Sequence, residues 1–103
     1  MSEGRRTILI VEDEADIREL LRYNLEQEGF AILEAGDGEL ALSLARKHQP
    51  HLVLLDLMLP GMNGFEVCRV LRGEPKTEKL PVLMLTARAT EVDKVLGLEI
   101  GAD

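Results

Sequence analysis

At 103 residues the chain has room for one domain with a single modest core, because folding at this size buries roughly 60 to 65% of the unfolded surface. Apolar residues make up 46% and charged residues 30% with no low-complexity tract, which excludes a disordered segment, and the longest apolar runs of four or five residues exclude a membrane span. A net charge of −7 disfavours nonspecific attraction to nucleic acid, and a lone Cys68 with no secretory signal leaves a cytoplasmic protein without an internal disulfide as the expectation.

Residues 7–11 (TILIV) form a short β-branched run that stops at Glu12, Asp13 and Glu14, as a buried strand ending in a polar loop would. The period then changes. Ile17, Leu20, Leu21 and Leu25 recur at helical spacing opposite Arg18, Glu19, Arg22 and Glu26, until Gly29 supplies a stop. Residues 31–35 (AILEA) read as a second strand. Asp37 and Gly38 open a helix carrying Leu40, Ala41, Leu44 and Ala45, which Gln49 and Pro50 end. Residues 52–55 (LVLL) are the third strand, and residues 64–71 a third helix with Phe65, Val67, Cys68 and Leu71 as its apolar positions. Residues 81–85 (PVLML) make a fourth strand, and Val92, Val95 or Leu96, and Ile100 mark a helix after it. Alternation of strands and helices with short connections specifies an α/β fold, a doubly wound parallel sheet with helices on both faces. The strands are apolar throughout, so both faces of the sheet should be buried. The chain stops at Gly101, Ala102 and Asp103, where such a sheet is expected to continue with another strand.

In an open parallel sheet, ligands bind beyond the carboxyl ends of the strands, where the strand order reverses. Asp13 follows the first strand, Asp56 the third, and Thr86 with Ala87 the fourth, so residues distant in sequence should meet at one edge with Glu12 beside them. Converging carboxylates repel one another unless a cation lies between them. Magnesium, with its oxygen ligands and retained waters, suits such a site. Acidic residues after a strand also cap the following helix, and Glu14 or Asp16 is best placed to do that here. Cys68 reads as a packed thiol, Tyr23 as a partly exposed helix residue, His48 and His51 as surface residues, and residues 76–79 as a polar loop.

The stretches ILIVEDE, LVLLDLMLPGMNG and PVLMLTAR, followed by GLEIGAD, closely resemble the receiver domain of two-component response regulators, most nearly the OmpR/PhoB subfamily of transcriptional regulators. The resemblance covers residues 7–103. It implies a flavodoxin-like fold with strand order 2-1-3-4-5, of which the fifth strand, last helix and a lysine shortly beyond GAD are missing from this chain. The chain would then be one receiver domain, 1–103, incomplete at its C-terminal end and leaving an unpaired edge on the fourth strand. The resemblance implies phosphoryl acceptance at Asp56 from a sensor histidine kinase, with Mg2+ held by Glu12, Asp13, Asp56 and the backbone carbonyl of Met58. It makes Thr86 the switch residue and Ala87 the donor of a backbone amide to the phosphoryl group. Met58 and Arg88 match positions flanking the approach of water, and an apolar Met58 cannot orient that water, so slow hydrolysis of the phosphoform is expected. Lys94, Glu99 and Asp103 match charges that support a homodimer through the fourth-helix side. DNA would be reached only through an output domain absent from this chain, and no membrane is involved. Two other readings stay open. One is a phosphohydrolase of the haloacid dehalogenase type, which normally carries a second acid where Met58 stands; the other is a receiver-like interaction module working without phosphate. A nucleotide-binding module lacks its glycine-rich motif. The chain is read as a phosphoacceptor and not as an enzyme with turnover.

Overall fold

The computed structural model describes residues 5–85. Within them run β1 (Thr7–Val11), α1 (Ala15–Gln27), β2 (Ala31–Ala35), α2 (Gly38–His48), β3 (Leu52–Asp56), α3 (Gly64–Arg72) and β4 (Val82–Leu85). The four strands are all parallel in the order β2-β1-β3-β4, so the chain reverses direction across the sheet between β1 and β3. This is the expected doubly wound arrangement and order. The helix expected from Val92 to Ile100 lies outside the described residues.

Alternation along each strand divides the core in two. Leu9, Val11, Val53, Leu55 and Val82 point to one face, where Ala41, Leu42 and Ala45 of α2 and Val67 and Leu71 of α3 cover them. Ile8, Ile10, Leu54, Leu83 and Leu85 point to the other, against Leu21 of α1 with Ile17 and Leu25 beside it. The expectation of strands buried on both sides holds for β1, β3 and β4; β2, at the sheet edge, is half-buried except at Ala35.

Local chemistry sets the helix ends. Asp37 caps α2 by accepting the Leu40 N–H at 2.8 Å, as its sequence position suggests. The α2 C-cap, Gln49, adopts the left-handed conformation at φ 46° before Pro50, and three basic residues in the last turn complement the helix dipole. Asn63 and Glu66 form a reciprocal capping box at the start of α3, with bonds of 2.9 and 3.0 Å. Glu14 occupies the N-cap position of α1 but its side chain makes no capping bond, and Asp16 lies in the first turn.

Several apolar positions face outward: Leu20, Leu40 and Phe65 are exposed. A short helix on a sheet buries only one stripe, which Ile17, Leu21 and Leu25 fill in α1 and Gly64, Val67 and Leu71 in α3. In α2 the stripe includes Leu42, which its spacing from Leu40 and Leu44 does not single out. Tyr23 is exposed, whereas Cys68 packs against the core as expected. Thr77, inside the polar 76–79 loop, is buried; its Oγ1 donates to the Leu71 carbonyl at 2.7 Å.

Candidate functional site

β1 and β3 pair in register through Val11 opposite Leu55, so the next residues along, Glu12 and Asp56, emerge side by side at the carboxyl end of the sheet. Asp56 is itself the last paired residue of β3, opposite Leu85, one position beyond the expected end of that strand. Glu12 carries the pairing of β1 a step further, its N–H donating to Ala35 O at 3.0 Å. This edge is the predicted switch point of the sheet.

Glu12 and Asp56 are 4% and 3% exposed, whereas Asp13 lies open at the mouth. One carboxylate oxygen from each lies within 4.8 Å of the other two. Burial pushes the Glu12 carboxyl up to about 7; the Glu14 N–H, donating to Oε2 at 3.1 Å, opposes this, while Asp56, Asp13 and Glu14 add to it by charge. Burial also raises Asp56, against the Met58 N–H that donates to Oδ1 at 3.2 Å, with the charge of Asp13 pushing the same way as burial. Among the described residues none of the three carboxylates forms a salt bridge. Two desolvated acids beside a third, with no cationic side chain from the described residues on any of them, are a donor set that fits a hard divalent cation.

The loop after β3 is shaped by close approach. Gly64 donates its N–H to Leu57 O at 2.9 Å, and a Cβ on Gly64 would stand 2.6 Å from the Asp56 carbonyl oxygen. Gly64 is therefore required by contact with the backbone that carries Asp56. Gly61 turns the chain at φ +78°, a conformation disfavoured for other residues. Met58 projects outward, 67% exposed, and its amide faces Asp56.

Glu12, Asp13 and Asp56 are thus brought together as predicted. Thr86, Ala87 and Arg88, and the interface residues Lys94, Glu99 and Asp103, lie outside the described residues. Sequence reasoning missed Arg18, whose Nη1 donates to the Glu12 carbonyl oxygen at 2.7 Å, and Glu34, which accepts from both Arg18 and Arg22. The available signal was a carboxylate in the otherwise apolar strand AILEA, with two arginines four apart on the preceding helix.

A family model, the response regulator receiver domain, matches residues 8–103. The DNA-binding response regulator MtrA of Mycobacterium tuberculosis is 52% identical over all 103 residues, and the chain spans 44% of that relative's length. Among solved structures, the N-terminal domain of a response regulator receiver protein from Methanoculleus marisnigri superposes with a TM-score of 0.78 at 36% identity, covering 89% of this chain and 76% of that one. The receiver domain of the sensor histidine kinase PA1611 from Pseudomonas aeruginosa, with a magnesium ion coordinated in its active site cleft, also gives 0.78, at 27% identity over 87% of this chain and 74% of its own. With two buried acids and one exposed acid converging at the reversal point of a 2-1-3-4 parallel sheet, and a receiver match over residues 8–103, the chain belongs to the response regulator receiver domain family.

Proposed function

We propose that this chain receives a phosphoryl group on Asp56 from a sensor histidine kinase and passes the change to an output domain of the DNA-binding kind its relatives carry. The observation that carries this reading is the convergence of Glu12, Asp13 and Asp56 within 4.8 Å at the end of the sheet. The three carboxylates, with the backbone carbonyl of Met58, would hold Mg2+. When bound, magnesium offsets the charge of the carboxylates and of the phosphoryl oxygens.

Asp56 acts as its ionised carboxylate. One oxygen is held by the Met58 amide, and the other attacks phosphorus; the bond from phosphorus to the donor breaks and the donor leaves with the electron pair. Gly64 keeps the backbone of Asp56 in place against the start of α3. Thr86 and Ala87, directly after β4, are assigned to the phosphoryl oxygens as hydroxyl and amide donors, and Thr86 converts the new charge into a shift of the chain beyond it. Lys94, Glu99 and Asp103 are assigned to contact with a second receiver. The exposed, apolar Met58 offers no group to orient a hydrolytic water, so the phosphoform should persist for minutes or longer. Nothing in this chemistry requires turnover, and a kinase partner implies a cytoplasmic location.

Incubation with acetyl phosphate and Mg2+ tests the assignment by intact mass. The expected product is one phosphoryl group per chain, absent in Asp56→Asn and absent without the metal. No adduct on the unaltered chain, or an adduct that survives Asp56→Asn, overturns it; repeated release of phosphate would favour a phosphohydrolase.

A further inference from the structure

Glu12 is held at more points than a residue leaving a strand requires. Its N–H bonds Ala35 O at 3.0 Å, its Oε2 accepts the Glu14 N–H at 3.1 Å, and its carbonyl oxygen accepts Arg18 Nη1 at 2.7 Å. The same guanidinium turns Nε to Glu34 Oε1 at 3.0 Å, on the edge strand β2. Arg22 provides an internal contrast. It also pairs with Glu34, at 2.7 Å, but that bond leads away from the acidic cluster, and Arg22 is 43% exposed against 23% for Arg18.

We propose that Arg18, anchored by Glu34, is a positioning residue that fixes the turn from Glu12 to Asp13, so that both carboxylates meet Asp56 around a divalent cation. The inference rests on the metal-binding reading of that cluster. A planar guanidinium serves two acceptors at once, one on the backbone of a metal-binding residue and one on β2, and neither a lysine nor an apolar residue reproduces that fork. Groups that orient metal ligands in this way contribute strongly to affinity although they never touch the ion.

Charge and geometry predict opposite signs. A positive guanidinium near a cation site repels the ion, so if Arg18 acted only through its field, Arg18→Met would bind Mg2+ more tightly and Arg18→Lys would bind it unchanged. If Arg18 positions Glu12, both variants bind more weakly.

The test is calorimetric titration of the full chain with Mg2+, for the unaltered protein, Arg18→Met, Arg18→Lys and Arg22→Met, with urea denaturation in a chelator reporting how folded each is. Expected are affinity losses of about tenfold for Arg18→Met and a smaller loss for Arg18→Lys, with Arg22→Met unchanged or slightly tighter. Tighter or equal binding by both Arg18 variants, or a loss in Arg22→Met matching that in Arg18→Met, overturns the inference while leaving the metal reading intact. Absence of saturable binding by the unaltered chain overturns the metal reading and this inference with it.

Discussion

The two ends of the sheet are built on opposite principles. At the amino end polar groups are paired close by: the Thr7 N–H donates to His51 Nδ1 at 2.9 Å, the His51 N–H to Thr7 O at 2.8 Å, and Arg72 Nη1 to Leu80 O at 2.8 Å. Pro50, Pro75 and Pro81 stiffen the loops around a cleft of about 510 Å³. At the carboxyl end the chain instead gathers acids and buries two of them, and burial raises both, Glu12 to about 7. The amino end has a cleft, and the carboxyl end has the electrostatic conflict. A cleft says only that space exists, whereas like charges held together out of water are the mark of a place where something is bound.

The largest effect that should separate the two ends is a pH dependence. An acid whose folded pKa lies above its unfolded value stabilises the fold while it holds its proton, below about 4.5 for Glu12, and that contribution is lost as pH rises through about 7. Without metal, stability should therefore fall over this window by up to ~3 kcal/mol, with Asp56 acting in the same direction. Urea unfolding in a chelator, from about pH 4 to about pH 8, measures it. Glu12→Gln should flatten the slope and saturating Mg2+ should reverse it; a slope unchanged by both would break the contrast.

Next in size is Gly64→Ala. The added methyl meets the Asp56 carbonyl oxygen, so strand or helix must move, at a cost of about 2 kcal/mol. Phosphoryl uptake at Asp56 should drop along with stability, which parallel mass and denaturation measurements will show. The smallest effect belongs to the amino end. Thr77→Val removes the buried hydroxyl that donates to Leu71 O and should lower stability by about 1 kcal/mol while leaving phosphoryl uptake unchanged. If uptake fell as well, the two ends would not be separable.

Much of the site was legible because a parallel sheet sends every strand end to the same edge. Asp56 directly follows an apolar run and Asp13 follows one with only Glu12 between, and the order of elements alone brings them together. Which member of the acidic pair after β1 would be buried was not legible. Glu12 loses water because β1 keeps pairing with β2 past Val11, while Asp13 has already left the sheet. Phe65 shows the same limit in a helix: its apolar type suits the core, but its place in the turn is off the stripe that Val67 and Leu71 occupy. Thr77 shows it in a loop, where polar neighbours gave no sign that one hydroxyl would turn inward.

By itself, then, the sequence determined the alternation of strands and helices, the burial of β1, β3 and β4 on both faces, and the edge at which the carboxylates gather, because each depends on periodicity and chain order. The tertiary structure decided which carboxylates are stripped of water, that Arg18, held by Glu34, bonds the backbone carbonyl of Glu12, and that Gly64 must lack a side chain. Those depend on atoms from α1, β2 and α3 arriving at one point, and no local pattern along the chain records the distance between them.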